Sequence, residues 1–415
     1  MTRRLFTRRR LLAGGAGLLG VGLGLRFGLP WWLRAPPIIP LDELSDRALD
    51  LLREAEDGVD MSRVWDVHTH LVGFGRGEAG EPWVSPAMQS HFAVSRRFQF
   101  DVYMAVTGVT DIEQANEQYL ERLLALHSEG LSASRLMLLA FDYHVRPNGE
   151  VDRDRSTFFM PNEHVLELAQ SNASLEAIAS VHPYRADALE RLERAHAGGA
   201  RAVKWLPNSM GIDPASPLCD AFYERLRELN MPLLSHTGEE RAVHAPEAQE
   251  LGNPLRLARA LDRGVRVIVA HSASMGQGLD LAKGDRAEEV ETFDLFLRMM
   301  RVSRWEGLLY GGLSATAFVN RKPRVLRELV GSKELSERLV YASDYPLPAV
   351  GPLISSSRLA NHDLLDEADV PALEELFRAN PLVYHFALLR RVRVRTGTGV
   401  TRMGAATFET ARLFG

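Results

Sequence analysis

Between residues 175 and 346 the chain repeats one pattern: a short apolar run that ends on a polar residue, followed by a segment of helical period. The runs lie at 175–181, 200–207, 232–238, 265–272, 308–314 and 339–346, and two more lie upstream at 63–70 and 135–142. Segments 112–127, 162–170, 185–197, 219–229, 254–262, 286–301 and 322–330 separate them and, with 371–378 after the last, read as helices. Strands that are apolar on both sides belong to a parallel sheet covered on both faces. Eight of them alternating with helices predict one α/β domain, a (β/α)8 TIM barrel.

The polar residues fall in one place. His70, Asp142, His182, Lys204, His236, His271 and Asp344 all stand at the C-terminal ends of their strands. Barrel enzymes assemble their sites at that end from several strands at once. In Asp66-Val67-His68-Thr69-His70 the two histidines are spaced i, i+2, so a regular strand turns both rings the same way. Asp66 is then left to orient them. A metal site needs three or four N/O donors converging from different directions, with one position open. His68 and His70 on the first strand, His236 on the fifth and Asp344 on the eighth meet that need. Imidazole and carboxylate donors suit Zn(II), Mn(II) or Fe(II). The donors do not choose among the three; a divalent metal ion is the expected cofactor, zinc first with manganese or iron as alternatives.

Other polar residues carry open alternatives. Lys204 could be a carbamylated bridge between two metals, a contact for a substrate carboxylate, or a structural lysine; the last two are favoured over the bridge. His182 could line the pocket or pack at its strand end, and Asp142 could touch substrate or sit in a solvated loop. Gly311-Gly312 could leave room in the pocket or serve packing. Residues 73–100 form a long loop rich in Gly, Pro and aromatics, a candidate lid or substrate wall.

Charge narrows the partners. The formal net charge is -5, but residues 1–34 hold seven arginines and no acid, which leaves -12 on the rest. An acidic body without a basic stripe argues against nucleic-acid binding. The single Cys219 excludes an internal disulfide and a cysteine-rich metal site.

The ends read separately. Arg8-Arg9-Arg10-Leu11-Leu12 followed by the Gly/Ala-rich 13–25 resembles a twin-arginine export signal. That resemblance implies a periplasmic or extracytoplasmic protein. Residues 1–34 could also stay attached to the membrane as an uncleaved anchor. Residues 35–60 read as a Pro-rich linker and a short helix, 61–390 as the barrel, and 391–415 as a solvated basic tail. A homo-oligomer is left open.

The Asp66–His70 opening is joined by Ala202-Val203-Lys204-Trp205-Leu206-Pro207, Pro232-Leu233-Leu234-Ser235-His236-Thr237-Gly238, Val269-Ala270-His271 and Tyr341-Ala342-Ser343-Asp344-Tyr345-Pro346. In that order, over roughly residues 64–386, the set resembles the amidohydrolase superfamily. The likeness is to its amidohydrolase-related branch of hydrolases and decarboxylases. The resemblance implies a single catalytic metal on His68, His70, His236 and Asp344. It also implies a proton-transfer role for His271 beside the metal-bound water, with Asp344 or His271 taking the proton. The expected activity is metal-dependent hydrolysis of an amide, ester or lactone bond in a small molecule. Non-oxidative decarboxylation on the same site is the alternative, and a non-catalytic envelope scaffold is a third reading.

Overall fold

The computed structural model describes residues 33–415 apart from 76–80, 91, 244, 246 and 398. The export-signal expectation lies on residues outside that set. Eight strands form one parallel sheet in chain order: β1 (Trp65–His70), β2 (Arg135–Leu139), β3 (Leu175–Ala179), β4 (Ala202–Trp205), β5 (Leu233–Ser235), β6 (Val267–Val269), β7 (Leu309–Gly312) and β8 (Leu339–Val340). A parallel bridge from Thr69 to Tyr345 brings β8 back to β1. The Val67 N–H donates to Tyr341 O and the His70 N–H to Tyr345 O, so the barrel closes. The expected TIM barrel is present.

Its interior is filled by alternate side chains from every strand, among them Val67, Met137, Ile178, Ala202, Leu234, Ile268 and Val340. The outer face is covered by helices α1 (Asp46–Glu56), α2 (Val94–Val106), α3 (Ala115–Ser128), α4 (Asn162–Ser171), α5 (Ala188–Ala197), α6 (Asp220–Glu228), α7 (Ala258–Asp262), α8 (Thr292–Met300), α9 (Arg324–Gly331), α10 (Val370–Ala379) and α11 (Pro381–Arg391). Most helices match the expected segments within a few residues. Two do not. The stretch read as an irregular loop contains α2, which buries Phe100, Val102 and Val106. Helix α11 is buried along Pro381–Leu389, and the Asn380 side chain caps it by accepting from Leu382 N and Val383 N.

One open alternative is decided for packing, and one reading is corrected. Gly311 does not open the pocket: a Cβ there would sit 2.8 Å from both Phe296 Cζ and Ser272 Oγ, so the glycine admits α8 and the turn after β6. The C-terminal stretch is not a solvated tail. Phe414 stacks on Trp65 at 5.9 Å and, with Leu413, plugs the N-terminal end of the barrel. The basic run is neutralised locally, with Arg391 on Glu54 and Asp369, Arg393 on Asp366 and Arg395 on Asp363.

Candidate metal centre

Strict alternation along β1 would turn His68 away from Val67, which points into the barrel. The pairing with β2 advances three residues on β1 (Asp66 to Thr69) for two on its partner (Leu136 to Leu138). That one-residue bulge re-aims the strand, so Val67 fills the interior while His68 and His70 both face the C-terminal mouth. Buried Asp66 secures the bulge: one carboxylate oxygen accepts from the His68 N–H at 3.2 Å and from the Ser343 N–H at 2.8 Å. Burial pushes its carboxyl up to about 6.

Asp344 arrives from the end of β8 with φ +67°, a left-handed turn that a non-glycine residue adopts at some cost. Its Oδ1 lies 3.4 Å from His68 Nε2 and 3.3 Å from His70 Nε2, and the two imidazole nitrogens are 3.2 Å apart. Donors about 2.1 Å from one tetrahedral ion stand roughly 3.4 Å apart. The near-equilateral triangle therefore fits a small divalent cation. Protonation agrees with that fit. Burial drives the His68 imidazolium well below its ordinary range, leaving a neutral donor. Burial acts to raise the Asp344 carboxyl, but His271, His68 and His70 around it hold it well below the usual carboxylate range.

His236, at the end of β5, stands outside this three-residue cluster. Its buried Nε2 makes no hydrogen bond and lies 3.3 Å from Glu240 Oε2. An orphaned imidazole nitrogen lining the same cavity is available as a further donor. His271 follows β6 in a turn where His271, Ser272 and Ala273 all have positive φ. Its Nδ1 is 2.9 Å from Ser314 Oγ and 3.7 Å from Asp344 Oδ2. Burial holds its imidazolium down at about 4. Ser314 Oγ also reaches His68 Nδ1 at 3.3 Å, so one hydroxyl orients both rings.

The remaining candidates separate. Lys204 Nζ, buried, lies 3.3 Å from His68 Nε2, and burial pushes its ammonium down to about 8. His182 does not reach the cavity. Its Nε2 is 2.9 Å from Met210 O and its Nδ1 accepts from the Tyr184 N–H, so both nitrogens serve the backbone. Asp142 is bound bidentately by Arg185 and is likewise structural.

The cavity, about 200 Å³, also exposes groups that strand-end reasoning passed over. Glu240 accepts from the Ala242 and Val243 N–H groups, and burial pushes its carboxyl up to about 7. Arg321 is buried, bonded to Ser274 and Asn320, with its guanidinium pushed down to about 10 by burial. Both lie in loops. The strand-end rule could have found Ser314, which closes the seventh apolar run.

A family model described as Amidohydrolase matches residues 138–382, more than half of the chain. None of the curated proteins compared with the chain matches it. Among solved structures it is similar to an uncharacterized TIM-barrel protein from Bordetella bronchiseptica at 13% identity, covering 78% of this chain and 99% of that one with TM-score 0.47. It is similar to 5-carboxyvanillate decarboxylase from Sphingomonas paucimobilis at 11% identity, covering 85% and 98% with TM-score 0.48. A probable 2-pyrone-4,6-dicarboxylic acid hydrolase from Acinetobacter baumannii aligns at 13% identity over 78% and 95%, with TM-score 0.39.

Proposed function

Since the chain belongs to the amidohydrolase family of enzymes, we propose that it is a metal-dependent hydrolase cleaving an amide, ester or lactone bond of a small molecule. The observation that carries this reading is the donor triangle of His68, His70 and Asp344, with edges of 3.2–3.4 Å, at the mouth of the barrel. His68, His70, Asp344 and His236 would hold one divalent ion, zinc first. When bound, such an ion polarises a carbonyl and lowers the pKa of water toward neutrality.

The chain's own groups supply the rest. Neutral His271 faces Asp344 Oδ2 and is placed to take or relay a proton. Ser314 keeps the His271 and His68 rings in register. Glu240 turns toward His236, and Lys204 and Arg321 set a positive field over the cavity. Those two buried cations also favour a second reading, non-oxidative decarboxylation, because they suit a substrate carboxylate.

A panel of amides, esters, lactones and carboxylic acids offered to the metal-loaded protein tests both. A newly formed carboxylic acid without CO2 supports hydrolysis, and CO2 release supports decarboxylation. Neither product with any member of the panel counts against both. Export rests on the resemblance of residues 8–25 to a twin-arginine signal. Fractionation of cells making the full chain checks it: a cytoplasmic protein unaffected by Arg8→Lys/Arg9→Lys/Arg10→Lys would contradict it.

A further inference from the structure

A second cavity adjoins the metal-side cavity and shares six residues with it: His70, Tyr103, Phe158, Ala242, Val243 and Leu347. Apart from His70, Tyr103 and Thr157, every residue lining it is apolar. Most of its walls come from two excursions, one between β1 and α3 and one between β2 and α4, and the rest from the turns after β5 (Ala242, Val243) and after β8 (Pro346, Leu347). Phe74 follows β1, Val84 lies on a two-residue ribbon paired with Phe158, Phe100 and Met104 lie on α2, and Met160 bridges to Phe141. These pieces are pinned in place. Asn116 exchanges two hydrogen bonds with the Phe74 backbone, at 2.7 and 3.0 Å. Gln99 on α2 donates to Ala242 O at 3.0 Å, and Phe74 meets Phe100 edge-on at 5.3 Å.

An apolar chamber held open beside a polar centre is a place for an apolar group that stays attached to something reacting at that centre. Its volume is about 130 Å³. A buried apolar cavity of about 150 Å³ takes a benzene ring. We infer that this chamber is a specificity subsite for the apolar arm of the substrate, a single aryl ring or an alkyl chain of about six carbons, whose polar end lies against His70 and the metal-side cavity. The substrate is therefore amphipathic, with its reacting carbonyl or carboxyl next to the arm. This deepens the hydrolase reading and rests on it for the chemistry, though the chamber itself does not.

The test measures binding of straight-chain alkan-1-ols, propanol to decanol, to the full-length protein by calorimetry, with hexanoate in parallel and with zinc absent or present. Affinity is expected to rise about fourfold per added methylene and to level off near hexanol. Val84→Phe, which fills the chamber, should bring the break down to about butanol, and Val84→Ala should move it beyond hexanol. In zinc-loaded protein hexanoate should bind at least tenfold tighter than hexanol, because one molecule then spans both cavities. A series that is flat, or that climbs through decanol equally in all three proteins, overturns the subsite. A break that ignores the Val84 variants overturns it too. If the protein takes up no zinc but the break still moves with Val84, the metal reading falls and the subsite stands. Bound zinc with no gain for hexanoate overturns the joining of the two cavities.

Discussion

Asp66 and Ser314 act on the donor triangle without belonging to it. Asp66 ties the His68 and Ser343 N–H groups to one oxygen, so a single carboxylate sets the spacing of β1 and β8 beside the site. Asp66→Ala leaves two N–H groups without this acceptor, which costs roughly 2–3 kcal/mol, and it frees the bulge. Zinc affinity, read by competition with a chelator, should fall at least about tenfold. Ser314→Ala removes the hydroxyl between His68 Nδ1 and His271 Nδ1 and should weaken zinc by about 10–100-fold with little change in unfolding midpoint. Unchanged affinity in both variants would mean that the rings are held by packing alone. The histidines and Asp344 were legible because strand ends at one mouth must converge. Glu240 and Arg321 were not, because they stand on loops whose path no periodicity reports. For His182 the strand-end position leaves pocket lining and packing equally open, and its two nitrogens, both on backbone groups, decide for packing.

At the scale of elements, the eight strands were readable because burial on both faces leaves nearly unbroken apolar runs, as in β3 and β4. The sequence reading has no helix over α11, although Asn380-Pro381 is an N-cap followed by proline at the first helical position. Its uniform burial gives no amphipathic stripe to detect. Asn380 also donates to Leu126 O at 2.6 Å, joining α11 to α3. Asn380→Ala should cost about 2–3 kcal/mol in urea unfolding, the sum of a lost cap and a buried unpaired carbonyl. A loss under about 0.5 kcal/mol would show that tertiary packing alone starts the helix. Gly311→Val drives side-chain atoms into Phe296 and Ser272, next to His271, and should destabilise by about 1–3 kcal/mol.

For the molecule as a whole, three buried histidines that do not line the metal-side cavity shape the response to acid. Burial holds His127, His182 and His385 at about 4 in the folded chain, against 6.5 when exposed. Between those values the unfolded chain takes up protons that the folded chain refuses. The stability they contribute is complete above pH 6.5 and drains away as pH falls toward 4, at about 2 kcal/mol per ring between pH 7.5 and pH 5. His385→Phe should shrink that loss in urea midpoints by one ring's share, and an identical slope would contradict it. The C-terminal plug was invisible in sequence because the ring it stacks on, Trp65, lies more than three hundred residues away. The decisive measurement is metal content at the barrel mouth. Elemental analysis of the purified protein, beside a His68→Ala/His70→Ala variant, should find about one equivalent of zinc, manganese or iron in the first and none in the second. No metal in either after reconstitution with divalent ions would contradict the hydrolase account. Two equivalents would contradict the single-ion site and turn Lys204 into a bridging ligand.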